Sequence, residues 1–445
     1  MSEAQLIDPR QDNASITEDI TSIALRRHAP IWWFLGILGA LGLAGALLLS
    51  AAYLLVRGVG IWGINIPVAW GFAITNFVWW IGIGHAGTLI SAFLLLMHQK
   101  WRDSINRFAE AMTIFAVLNA GLFPMLHLGR PWVFYWLAPY PDTMKLWPQF
   151  RSPLVWDFVA VTAYLVVSLI FWYMGMIPDL ATLRDRARSR IRKYAYAILA
   201  LGWRGDIEHW ERYEKTYLLL AGLATPLVVS VHSVVSFDFA VGNLPGWHST
   251  IYPPYFVAGA MFSGLAMALT IGIPLRALFN LDDFITERHL DNMAKVMLTA
   301  GLIVAYGYLN EFFLAWYSSN LYERFHALNE IAGGYAAVFA IMMVANVALP
   351  QLLWLRKFRT SPLLLFAISV VINVGMWSER FVIIVGSLHR DFLPSSWHMF
   401  YPTIWDWATF AGTIGVFGVL LFLFIRFLPV VSMSEVRKLA HEERA

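Results

Sequence analysis

The sequence predicts an all-α integral membrane protein with ten transmembrane helices, and three observations carry that reading. First, 59 % of its 445 residues are hydrophobic and only 14 % are charged, with a mean hydropathy of +0.60. That balance belongs to polytopic membrane proteins and not to soluble domains. Second, ten apolar segments reach the roughly 20 residues a helix needs to cross about 30 Å of hydrocarbon. Third, the basic residues are asymmetric: with the N-terminus inside, 22 of the 32 Lys and Arg fall in cytoplasmic segments and 6 in outer loops. The positive-inside rule then puts both termini in the cytoplasm.

The polar N-terminal tail, 1–30, carries Glu18, Asp19, Arg26 and Arg27. It lacks the short apolar core of a cleaved signal peptide, so none is expected. A flanking helix follows at 31–56. Helices two to five span about 67–97, 108–128, 153–177 and 217–240, and form an expected first four-helix bundle over 67–240. Helices six to nine, at about 254–278, 294–317, 331–355 and 362–386, form a second over 254–386. A tenth helix at 405–428 flanks them, and a cytoplasmic tail covers 429–445. All spans must be helical, because lipid offers unpaired backbone groups no partner. Each bundle starts and ends outside after four crossings, a pattern compatible with a parallel duplication.

The inner loop 178–216 is basic. Leu180, Leu183, Ala187, Ile191, Tyr194 and Ile198 recur every three or four residues between arginines, the pattern of an interfacial helix on anionic lipid; a plain positive-inside loop reads the same way. The outer loops 129–152, 241–253 and 387–404 are rich in Trp, Tyr, Phe and Pro. They suit both an aromatic belt and a docking surface for an extrinsic protein.

The stretch 123–158 organises the chain. It places His127 in the last turn of helix three and Asp157 in the first turn of helix four, on one membrane face. An ionisable group inside an apolar span costs about 2.5 to 3.5 kcal/mol at the centre and marks function by default. Of twelve histidines only His85, His127 and His232 fall well within spans, and they read as lying at three depths. Asp238, Glu311, Glu379 and Arg380 complete the intramembrane polar set, biased to the outer half; few ionisable groups are expected in the inner half. Structural roles compete with these. Asp157 suits a helix N-terminus, His85 and His232 can bond backbone carbonyls, Glu311 and Arg380 can neutralise one another, and Arg130 and Trp132 are ordinary interface anchors.

The chain has no cysteine, which excludes disulfides, thiolate catalysis and an iron–sulfur cluster on its own thiols. No P-loop, dinucleotide-binding or HExxH motif occurs, and nothing points to nucleic acid. A haem between two histidines requires a shared depth, which leaves His127 with His232 as a weak option. A secondary transporter also fits parallel repeats and intramembrane carboxylates. Clustering towards one face speaks against alternating access.

The runs VWWIGIGHAGTLISA (78–92), INRFAEAMTIFAV (105–117), FPMLHLGRPW (123–132), FRSPLVWDF (150–158), ATPLVVSVHSVVSFDFA (224–240) and PGWHSTIYPPYFVAGAMFSG (245–264) resemble the membrane-subunit family of polysulfide reductase, the NrfD-like proteins. Within it the chain looks most like the quinol-oxidising membrane subunit of bacterial alternative complex III. The resemblance implies two four-helix bundles in the bacterial cytoplasmic membrane, no haem or metal in this subunit, and a quinol site at His127 and Asp157 near the periplasmic face. It also implies a proton path through His85, His232, Asp238, Glu311, Glu379 and Arg380. Implied partners are a periplasmic iron–sulfur/molybdopterin-like subunit, a second NrfD-like membrane subunit, and multihaem and monohaem c-type cytochromes. The expected mechanism takes menaquinol or ubiquinol. His127, with an ordinary pKa of about 6.5, accepts the proton, and Asp157 orients His127 or passes the proton outward. Arg130, Trp132, Phe134, Tyr135 and Trp136 form the mouth for ring and tail. A structural or proton-conducting anchor is the remaining alternative.

Overall fold

The computed structural model describes residues 6–138 and 150–444, so most of the aromatic loop after Ala138 lies outside the described residues. The helices used below are α1 (Asn13–Leu25), α2 (Ile31–Arg57), α3 (Gly71–Leu96), α4 (Asn106–His127), α5 (Pro153–Arg186), α6 (Arg190–Leu199) and α7 (Ile207–Ala240). They continue with α8 (Tyr252–Phe279), α9 (Glu287–Tyr317), α10 (Leu321–Ala332), α11 (Ala336–Trp354), α12 (Pro362–Gly386), α13 (Ile404–Phe427) and α14 (Met433–Arg444). Ten of these are long and apolar enough to span a membrane: α2, α3, α4, α5, α7, α8, α9, α11, α12 and α13. No strand occurs among the described residues. The protein is an all-α, multi-pass integral membrane protein, and its helix ends are called inner and outer below from the orientation inferred from the basic residues.

Helix α3 is the axis. Every residue of Gly71–Thr88 except Ile74 is buried, and α3 packs on α4 and α7 on one side and on α8 and α12 on the other. Lipid is as apolar as leucine, so helix association depends on close backbone approach through small residues. A Cβ on Gly87 would meet the Ala109 carbonyl oxygen at 1.9 Å, and one on Gly264 the Ala86 Cβ at 2.0 Å. Helices α2 and α13 pair separately, where a Cβ on Gly412 would meet Leu47 Cβ at 2.4 Å.

Three spanning helices each contain a π-helical turn, at Leu89–Phe93, Val344–Ala348 and Val382–Gly386. The first begins four residues after His85, and the third follows Arg380 by two. Such wide turns are rare and recur at functional positions.

Two elements differ from expectation. The basic loop is not one amphipathic helix over 180–199. Residues through Arg186 continue α5, where Leu180 and Leu183 are fully buried, and the chain breaks before α6. Only Ile191, Tyr194 and Ile198 remain as an exposed apolar face. The tails, expected as polar extensions, fold into α1 and α14 and join at the inner end: Glu443 accepts from the Leu6 and Ile7 amides at 3.0 and 3.3 Å.

Gly87→Ala should lower the melting temperature clearly, in line with the 1–3 kcal/mol typical of overpacking. Gly39→Ala, whose Cβ would meet nothing within 4 Å, should leave it unchanged or slightly raised. Thermal melts of the two purified variants in one detergent test this pair.

Candidate functional site

His127 is the last residue of α4, and Asp157 lies in the second turn of α5, which Pro153 opens at its first position. Both stand at the outer end. No hydrogen bond joins them among the described residues, contrary to the expectation that Asp157 orients His127. The neighbour of Asp157 is Asp238 from the outer end of α7, its carboxyl within hydrogen-bonding reach. The His127 ring lies parallel to Trp62, centroids 6.4 Å apart. His127 Nδ1, Asp157 Oδ1 and Asp238 Oδ1 are shielded from solvent and make no hydrogen bond among the described residues. Arg130, Trp132, Phe134, Tyr135 and Trp136 sit on and beside a 3-10 turn, Pro131–Leu137, with exposed side chains. They form an outward-facing surface at that end.

His85 and His232 do not sit at different depths. Their ring centroids are 4.2 Å apart, too close for a porphyrin plate between them. His85 Nδ1 bonds the Ile81 carbonyl oxygen at 2.6 Å, and its ring stacks on Tyr164 at 4.8 Å. Its Nε2 and both ring nitrogens of His232 lack partners among the described residues.

Arg380 pairs with neighbouring Glu379 at 2.7 Å and lies over the Phe256 ring at 4.3 Å. The expected Glu311–Arg380 pair is therefore replaced by Glu379–Arg380. Tyr308 donates to Glu379 at 2.5 Å and accepts from Asn346 at 2.9 Å. Glu311 lies further out beside Tyr252 and Glu330, and lines a cavity of about 290 Å³ between α9, α10 and the loop before α8.

The inner half is more polar than the sequence suggested. Arg107 on α4, fully buried, reaches Glu110 at 3.3 Å, Asp179 at 3.5 Å and the Gly175 carbonyl at 2.7 Å. Glu110 also accepts from Ser91 and, at 3.0 Å, from Tyr217. Nearer the surface Glu435 of α14 takes hydrogen bonds from Arg102 and Asn106. Burial pushes the Asp103 carboxyl up to about 8 although Arg102 lies 3.3 Å away. These residues sit at helix ends, where Arg107 and Glu110 read as ordinary inner-loop charges. Their i, i+3 spacing with Ser91 opposite was the available signal. Between this cluster and His85 stand Thr88, Thr113, Tyr164 and Ser168, with Thr88 and Ser168 hydroxyls 3.0 Å apart and both Thr113 and Tyr164 bonded to the Gly84 carbonyl.

The molecule is thus a membrane protein whose apolar helices enclose several buried polar clusters. The family model described as "Polysulphide reductase, NrfD" matches residues 63–390, and the chain belongs to that family. It is 30 % identical over 248 residues to a putative dimethyl sulfoxide reductase membrane subunit of Halobacterium salinarum, covering 53 % of this chain and 52 % of that protein, so about half of that relative's length is spanned. It is 23 % identical over 387 residues to a selenate reductase subunit of Mesobacillus selenatarsenatis, covering 82 % and 87 % of the two chains. An Hdr-like menaquinol oxidoreductase integral membrane subunit of Archaeoglobus fulgidus is 21 % identical over 417 residues, covering 88 % and 92 %.

His326 on α10 offers a pH test. Burial opposes its charge, but Glu330 at 3.2 Å and nearby Glu323 outweigh it and raise its pKa. A raised cation contributes stability that is complete below the unfolded value of about 6.5 and is lost as pH rises through the folded value. Between pH 6 and 9 the melting temperature of the parent should therefore fall more steeply than that of His326→Gln; parallel slopes would remove His326 as the cause.

Proposed function

We propose that this chain is the quinol-oxidising membrane subunit of a respiratory or photosynthetic electron-transfer complex of the alternative complex III type, held in the bacterial cytoplasmic membrane with both termini cytoplasmic. The observation that carries the reading is the outer trio: His127 Nδ1, Asp157 Oδ1 and Asp238 Oδ1 are buried, unpartnered among the described residues and contributed by three different helices. A buried polar atom without a partner costs about 1–3 kcal/mol, and the two hydroxyls of a quinol supply the missing donors. The naming of one relative as a menaquinol oxidoreductase subunit supports menaquinol as the substrate.

In this mechanism one hydroxyl donates to His127 Nδ1 and the other to the Asp157–Asp238 pair. His127 takes the first proton as a general base. The carboxyl pair takes the second. The two electrons leave for an acceptor on an outer partner, an iron–sulfur/molybdopterin-like subunit that docks on the exposed aromatic surface of residues 131–137. A second NrfD-like membrane subunit and multihaem and monohaem cytochromes c complete the proposed complex.

Proton movement across the membrane is the second half of the proposal. From the inner end the row runs through Glu435, Glu110, Ser91, Thr88 and Tyr164 to His85 and His232, and on through Arg380, Glu379 and Tyr308 to Glu311. Asp238, expected on this row, instead belongs to the quinol trio as its second carboxyl. The row favours a conducting role over alternating access, because its groups are spread over the full depth and not gathered at one mid-membrane site.

His127→Ala should lower quinol-dependent turnover about 100-fold or more, the lower end of general-base contributions, with the complex fully assembled. Asp157→Asn and Asp238→Asn should each do the same. Unchanged turnover in all three intact complexes would move the quinol site away from this trio. Separately, Glu110→Gln in proteoliposomes should reduce proton release per electron while leaving uncoupled turnover within about twofold of the parent.

A further inference from the structure

The cavity beside Glu311 is not absorbed by the outer trio, which lies on other helices. At about 290 Å³ it stands at the lower end of the range of small-molecule sites, about 300 to 1,000 Å³, a size for a head of one or two rings. Its walls are divided. Phe312, Phe339, Met342, Val382 and Ile383 form an apolar side, and Tyr255, Glu311, Glu323, His326 and Glu330 a polar one. Two polar atoms at this lining are buried without partners among the described residues, Glu311 Oε1 and Tyr255 Oη, and Tyr255 is only 1 % exposed. Among the described residues no Lys or Arg lines the cavity. Three carboxylates against two histidines, His248 and His326, disfavour an anionic ligand and favour a neutral molecule that donates hydrogen bonds.

The cavity also faces the right medium. On α9 the lining residues Glu311, Phe312, Ala315 and Ser318 alternate with Leu309, Phe313, Trp316 and Tyr317, which are exposed on the apolar outside of the helix. A ligand carried in lipid therefore reaches the lining past a single helix. Inward, Tyr308 joins the lining to Glu379.

We propose that this cavity is a second binding site for a lipid-soluble para-quinol, its ring against Phe312 and Phe339 and its hydroxyls on Glu311 Oε1 and Tyr255 Oη. The inference rests on the reading that this chain works on quinols, and it adds a second head in the other half of the chain. His326, held against Glu330, closes the outer rim. Gly246 gives it room, with φ +83° and a would-be Cβ only 2.2 Å from the His326 ring.

The test is equilibrium binding of a tritiated short-tail menaquinol to the whole complex in lipid nanodiscs, under anoxic and fully reduced conditions so that no turnover occurs, with empty nanodiscs as background. Where the complex carries another membrane subunit, the counts are compared as differences between variants. Glu311→Gln, Tyr255→Phe and the cavity-filling Ala315→Trp should each lose one equivalent, His127→Ala should lose a different one, and Glu311→Gln with His127→Ala should lose two. Full retention in Ala315→Trp and Tyr255→Phe overturns the second site, whatever Glu311→Gln does to folding. Loss in those variants with full retention in His127→Ala supports the cavity and instead overturns the outer trio as the quinol site.

Discussion

The cost of keeping charge and polarity away from water inside lipid governs this structure. Each buried ionisable group must find an opposite charge, a hydrogen bond or a proton, and the fold is arranged so that most do. Arg107 is enclosed by two carboxylates and a backbone carbonyl; Arg380 has Glu379 beside it and an aromatic face beneath it. Removing one partner of such a set leaves an uncompensated buried charge, typically a loss of 3–5 kcal/mol. The glycines of α3 serve the same end, since close backbone contact with α4 and α8 is what brings donors and acceptors within reach. Against that background the atoms left without partners are informative, and those of the outer trio, the two central histidines and the cavity of the second half are among them.

Much of this was legible in the sequence. Ten spans follow from hydropathy alone, because a 20-residue apolar run has few alternatives in a chain of this composition. The candidacy of His127 and Asp157 follows from the cost of placing them there. What the sequence could not provide was the rotation of each helix about its axis, which decides which side chains meet. His85 and His232 were therefore separated by depth when they touch, Asp157 was assigned to His127 when Asp238 is its neighbour, and Glu311 was matched to Arg380 although Glu379 is nearer. The inner cluster escaped for a related reason: Arg107 and Glu110 stand where loops ordinarily carry solvated charge, and it is side chains and carbonyls of α3, α5 and α7 that cover them.

The π turns connect local geometry to these assignments. A π turn inserts one residue into a helix and so rotates everything beyond it by about 100° relative to a regular α-helix. In α3 the turn lies between His85 and the inner cluster, and Ser91, which reaches Glu110, sits within it. In α12 it follows Arg380 and carries Val382 and Ile383 to the cavity wall. A helical-wheel reading through either point places the downstream residues on the wrong face.

The pairing of Glu435 with Arg102 and Asn106 bears on how the chain is made. Arg102 and Asn106 emerge from the ribosome with the third span, but the carboxylate that covers them lies close to the far end of the sequence. Cover of the inner face around Arg102 thus waits on α14, and a truncation that removes its first turn, where Glu435 stands, would leave Arg102 and Asn106 without their carboxylate.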